Sequence, residues 1–72
     1  MEYIERVHRT QDGTILSFQT STGRIISYRK AVQAVKNGEI SGMMVHEYND
    51  DYEQLSSAID GDATFDSYPD IF

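Results

Sequence analysis

The Asp12-Gly13 pair constrains the fold of this chain more than any other two residues. Asp-Gly favours a tight hairpin, because a type I′ turn needs positive φ at both central positions. β-forming runs lie on either side of it. Residues 2–10 include Tyr3, Ile4 and Val7, and Thr14 to Thr20 sets Leu16 and Phe18 against Ser17 and Gln19. That period of two is the pattern of a half-buried strand, although Ile15 interrupts it. Ser21-Thr22-Gly23 marks a second turn, and Arg24 to Ile26 a short third strand. The expectation is a β-meander.

The chain then changes period. Ser27 stands as a helix N-cap, with Lys30 where a capping box would need glutamate. Residues 28–36 place Tyr28, Ala31, Val32 and Val35 on one stripe, with Arg29, Lys30, Gln33 and Lys36 opposite. Lys36 suits the C-terminal dipole, and Asn37-Gly38 is a helix stop. Ile40 to Tyr48 sets Met43 and Val45 against Met44 and His46, as a strand does. Asn49-Asp50-Asp51 is a turn, and Tyr52 to Ser56 is a last short strand or a helical turn. From Ala58 onward glycine, aspartate, serine and proline dominate, and such a segment buries too little to offset its ordering entropy. The predicted order is βββαββ. It describes an α+β domain over residues 1–57, a small antiparallel sheet with one packed helix, followed by a flexible acidic tail over 58–72. The expected core is Val7, Leu16, Phe18, Ile26, Val32, Val35, Ile40 and Val45.

Seventy-two residues make one domain. A core that small supplies a net of roughly 3–5 kcal/mol, so short domains commonly add disulfides, a metal or a partner subunit. There is no cysteine, which excludes disulfides and thiolate zinc sites. His8 and His46 could share a proton or a metal if they lay on adjacent strands. With no third ligand type beside them, they read as two half-exposed strand histidines, and no metal or cofactor is expected. The loop from Asp60 to Asp66 alternates oxygens as a calcium loop does. It lacks the central glycine, where Phe65 stands, and the closing glutamate, where Ile71 stands. Self-association is the remaining staple, giving a homodimer or higher oligomer through open sheet edges or through Met43 and Met44.

No P-loop, nucleophile elbow or paired-histidine motif is present, so no catalytic residue is assigned and the chain is read as non-enzymatic. No apolar run approaches the roughly 18–20 residues of a membrane span. The N-terminus lacks the basic and apolar regions of a signal peptide. The expected location is cytoplasmic.

Charge is divided unevenly along the chain. Residues 1–46 carry six basic against four acidic residues, a sum of +2, whereas residues 47–72 carry eight acidic residues and no basic one. That acidic part repels nucleic acid and attracts a basic protein surface. Tyr48, Tyr52, Phe65, Tyr68 and Phe72 are interleaved with its carboxylates. Aromatics supply contact area while carboxylates steer encounter, so Asp60, Asp62, Asp66, Tyr68, Asp70, Ile71 and Phe72 form the candidate partner-binding segment. The alternative site is a phosphate-binding patch of Arg24, Arg29, Lys30 and Lys36, with Tyr3, Phe18 and Tyr28 as stacking platforms if exposed.

The runs Gly23-Arg24-Ile25-Ile26-Ser27, Ala31-Val32 and Gly38-Glu39-Ile40-Ser41-Gly42-Met43-Met44-Val45 resemble a family of short bacterial and phage proteins catalogued as domain of unknown function 3892. Leu55-Ser56-Ser57 and Asp60-Gly61-Asp62 extend the resemblance over most of the chain. It implies a small α+β fold and no particular activity. The tail departs from the family pattern, which is richer there in asparagine and leucine. The expected function is a protein-binding module, in its most concrete form a phage or mobile-element accessory protein that occupies a basic site on a host nuclease. The first alternative is a nucleic-acid-binding domain using the sheet and the basic helix face. The second is a structural or regulatory protein with a solubilising tail.

Overall fold

Two glycines in the left-handed region set the first three strands. β1 (Glu2–Arg9), β2 (Ile15–Thr20) and β3 (Ile25–Ser27) form an antiparallel meander. The computed structural model describes residues 1–49, 52–59, 61 and 63–71. At the first turn the Thr10 N–H donates to Thr14 O at 2.8 Å and the Gly13 N–H to Thr10 O at 3.0 Å. The second turn repeats this, with Thr20 to Arg24 at 2.8 Å and Gly23 to Thr20 at 2.9 Å. Gly13 has φ +91° and Gly23 φ +90°. These are three-residue loops with glycine in the left-handed position. The first is not the two-residue type I′ turn that Asp12-Gly13 suggests, because Asp12 keeps a negative φ.

Two bulges decide which side chains turn inward. Val7 lies opposite Phe18, and Phe18 opposite Ile26, so these three line one face of the sheet. Below them the register slips between Ile4 and Arg6, making Glu5 the extra residue. Ile4 and Val7 are therefore both buried although three residues apart. Above them the register slips between His8 and Arg9, and Leu16 is the extra residue on β2. Leu16 is consequently 47% exposed, which corrects its expected core position, and Ile15 packs against the core instead.

The helix α1 (Tyr28–Lys36) follows β3 directly. Ser27 caps it, its hydroxyl accepting the Lys30 N–H at 3.2 Å. Gly38 at φ +75° ends it, and the Glu39 N–H reaches back to Ala34 O at 2.9 Å, a Schellman arrangement. Ala31 and Val32 are buried, while Tyr28, Ala34 and Val35 pack at the margin of the core.

Beyond the helix, β4 (Ile40–Ser41) pairs parallel with Glu2 and Tyr3 of β1. The sheet order is β3-β2-β1-β4, so the sheet is mixed rather than wholly antiparallel. Gly42 at φ +85° turns the chain out of this sheet. β5 (Met43–Asn49) and β6 (Tyr52–Ser57) then pair with each other as a separate two-stranded hairpin. The class is α+β. Leu55, Met43, Ile40 and Phe65 complete the core with the residues already named. Met43 is thus consumed inside the fold and is not available to an oligomer interface.

The largest departure from expectation is at the C-terminus. Phe65 is completely buried, with its ring edge-on to Phe18 at 5.5 Å and to Tyr68 at 5.3 Å. The Val7 N–H donates to Pro69 O at 3.0 Å and the Ile71 N–H to Val7 O at 2.9 Å. Residues 69–71 thereby make a parallel bridge to β1, on the edge that β4 occupies lower down. Residues 63–71 are a docked strap, which corrects the expectation of a flexible tail. One short helix leaves part of the sheet face uncovered, and an aromatic ring from a distant segment fills the gap.

Candidate interaction surface

The strap occupies most of the segment that the sequence singles out for partner binding. The Asp70 carboxylate accepts from Arg9 Nη1 at 2.6 Å. Arg9 Nη2 also donates to Phe65 O at 2.7 Å and to Thr64 O at 3.3 Å, so this guanidinium clasps the strap at three points. Tyr68 is half-buried against Phe65 and Ile71 is half-buried beside β1, while Asp66 is exposed. Asp60, Asp62 and Phe72 lie outside the described residues.

The alternative basic patch is divided by internal ion pairs. Arg24 Nη2 meets Glu2 Oε1 at 2.5 Å and its Nε meets Oε2 at 3.1 Å, while the Thr22 hydroxyl donates to the same carboxylate at 2.6 Å. The hydrogen bonds from Arg24, Thr22 and Thr20 hold the Glu2 carboxyl down at about 2. Lys36 Nζ sits between the carboxylates of Glu53 and Glu47, the latter at 3.0 Å, and both push its pKa up. Arg29 and Lys30 are exposed and, among the described residues, make no ion pair. Of the three proposed stacking aromatics, Phe18 is fully buried, Tyr28 is half-buried, and Tyr3 is exposed.

Tyr28 has an internal task. Its hydroxyl accepts the Leu55 N–H at 2.7 Å, tying the start of the helix to the edge of β6. Burial pushes its pKa up, partly offset by this bond. The histidines are not neighbours: His8 lies on β1 opposite Ser17, and His46 lies on β5 in the other sheet. His46 Nε2 is 2.9 Å from the Ser56 hydroxyl, which is buried and therefore closed to a substrate. Among the described residues no three His, Cys, Asp or Glu side chains cluster as metal ligands would. No described helix is long and apolar enough to cross a membrane.

Among the described residues, the β5–β6 hairpin carries the most exposed aromatic surface. Its inner face presents Met43, Val45 and Leu55 to the core, and Lys36 of the helix grips Glu47 and Glu53 on that side. Its outer face carries Met44, His46 and Tyr48. Tyr48 is 61% and Tyr52 53% exposed, yet their rings pack at 5.3 Å and Tyr48 Oη donates to Gln54 at 3.1 Å. These two tyrosines are fixed without being buried. Beside Tyr52 lies a hollow of ≈ 410 Å³ lined by Tyr28, Ile15, Glu53, Gln54 and Thr64 among others. The sequence groups all five C-terminal aromatics together. The structure separates them, sending Phe65 and Tyr68 inward and leaving Tyr48 and Tyr52 outside.

The arrangement defines a small α+β domain with several internal ion pairs and an open aromatic face on the β5–β6 hairpin. The chain belongs to the family described as protein of unknown function, DUF3892, whose model matches residues 3–64. Comparison with curated proteins and comparison with solved structures each found no match.

Proposed function

We propose that the protein is a non-enzymatic protein-binding module that engages a basic protein surface through the outer face of the β5–β6 hairpin. The observation that carries this reading is the exposed, mutually packed Tyr48–Tyr52 pair. Tyrosine gives large contact area at low entropic cost, and these rings lose little further freedom on binding. The run Glu47-Tyr48-Asn49-Asp50-Asp51-Tyr52-Glu53 and the net charge of −6 favour encounter with a cationic partner. A partner arginine entering the hollow beside Tyr52 meets the rings of Tyr52 and Tyr28. Occupation of a basic site on a nuclease, as a phage or mobile-element accessory protein would do, is the concrete form of this reading.

Photo-crosslinking tests it. A photoreactive residue at position 48 or 52 is expected to capture a protein in the native cell, and one at position 30 is not. Nucleic-acid adducts at position 30, with none at 48 or 52, would overturn the reading in favour of the helix face.

A further inference from the structure

Two strand edges open into one hollow. In an antiparallel ladder the N–H and C=O of a residue point to the same side, and that side alternates along the strand. Three bonds fix the phase of β6. The Ala58 N–H donates to Gly42 O at 2.9 Å, toward the β5 side, whereas the Leu55 N–H reaches Tyr28 Oη at 2.7 Å and Ser57 O accepts from the Gly61 N–H at 2.8 Å, both on the other side. Glu53 shares the phase of Leu55 and Ser57, so its N–H and C=O also point away from β5. On β2, Thr14 O accepts from the Thr10 N–H toward β1, so Ile15 turns its own N–H and C=O to the opposite edge. β3 covers that edge only from Ser17 to Gln19, because the chain leaves the sheet for α1 at Tyr28. Among the described residues no main-chain bond outside the strand ladders reaches Ile15 or Glu53.

Both residues line the ≈ 410 Å³ hollow, with Tyr28 and Tyr52 beside them. Its size is that of a ligand site, about 300–1,000 Å³. β2 and β6 belong to different sheets, and the hollow lies between their edges. We propose that the hollow takes an extended peptide segment of a basic partner, which adds as a strand at Ile15 and Glu53 and lays an arginine against Tyr28 and Tyr52. The proposal rests on the hairpin reading above and names how that partner is held. A strand is the occupant that matches main-chain donors and acceptors on both walls. Arginine is the side chain that suits two tyrosine faces. Charge selects the same partner. No residue lining the hollow is basic, the exposed Asp12 precedes Gly13 at its rim, and Asp50-Asp51 precede Tyr52 in the sequence.

The test uses the full-length, isotope-labelled chain and amide hydrogen exchange read by NMR. In the free protein the Ile15 and Glu53 amides are expected to exchange far faster than that of Leu55, and protection of either equal to Leu55 overturns the proposal. The probe is a capped Thr-Val-Arg-Val-Thr peptide, whose β-branched residues favour an extended chain. Saturable shifts at Ile15, Tyr52 and Glu53 are expected, with Kd at or below about 1 mM, together with new protection of the Ile15 and Glu53 amides. The same peptide N-methylated at both valines loses main-chain donors and is expected to bind about tenfold more weakly or worse. Replacing its arginine by citrulline, which keeps the shape and removes the charge, is expected to weaken it several-fold. Absence of shifts at Ile15 and Glu53, or equal binding of the N-methylated or citrulline peptide, overturns the proposal. Shifts confined to Tyr48 and Tyr52 sink strand addition and leave the hairpin reading standing. Protection of Ile15 and Glu53 by the peptide, with no protein captured by crosslinkers at 48 or 52, sustains the strand site and sinks the hairpin reading.

Discussion

Glu2 shows how a single half-buried side chain can set a pH response. Its carboxylate gathers Arg24, Thr22 and Thr20, and its pKa falls from 4.5 to about 2. A carboxyl held lower in the folded state stabilises that state above its unfolded pKa. The contribution is lost as pH falls through the interval from 4.5 to about 2. Glu2→Gln is therefore expected to melt below wild type at neutral pH, with the gap closing as pH falls toward 2. Parallel thermal melts across that range check this, and a gap independent of pH would show that the cluster does not couple to folding. Tyr28 acts through a different route. Tyr28→Phe keeps the ring against Phe18 but leaves the Leu55 N–H without its 2.7 Å acceptor. An unsatisfied donor in a half-buried place costs about 1–3 kcal/mol, measurable as a lower urea midpoint with unchanged slope. Neither role is written in the sequence, because both partners of each contact lie many residues away.

At the level of elements, the sequence is most legible where structure is local. Ser27 as cap, the stripe of residues 28–36 and the Asn37-Gly38 stop all describe α1 as it stands. The strand pattern is legible only up to the bulges. Leu16 and Phe18 alternate correctly, but the slip at Leu16 changes the phase, and nothing in the local sequence marks the extra residue. The same limit applies to β4 and β5, which read as one strand until the left-handed Gly42 divides them. The helix stripe also grades the cost of substitution. Val32 is buried and Val35 lies at the core margin. Val32→Asp is expected to unfold the domain, since a buried carboxylate without a partner is very costly. Val35→Asp is expected to remain folded with a lower melting temperature, because its carboxylate can reach water. Circular dichroism of the two variants separates these outcomes, and equal loss in both would mean that Val35 is as enclosed as Val32.

For the molecule as a whole, the decisive question is how a chain this short closes its core, and the answer lies in the residues that look least able to fold. Phe65 stands alone among glycine, aspartate, serine and threonine, so composition assigns its segment to solvent. Its burial depends on a socket that exists only after β1, β2 and α1 have assembled around Phe18, which no local pattern can announce. Once seated, it is, among the described residues, one of the two largest completely buried side chains. Removing a buried phenylalanine costs about 3–5 kcal/mol. That equals the whole net stability, roughly 3–5 kcal/mol, that a core of this size supplies. Truncation after Ser57 also frees both polar groups of Val7 and strands Arg9 without Asp70. Charge works the other way, since the deletion removes four of the twelve acidic residues and relieves self-repulsion. Of these, Asp70 is already paired with Arg9 and Asp66 is exposed, so this gain is small beside the loss of a core aromatic. The chain ending at Ser57 is therefore expected to be largely unfolded at 25 °C. Far-ultraviolet circular dichroism and a thermal melt test it, and a cooperative melt near the wild-type temperature would show that the strap is not part of the folding unit.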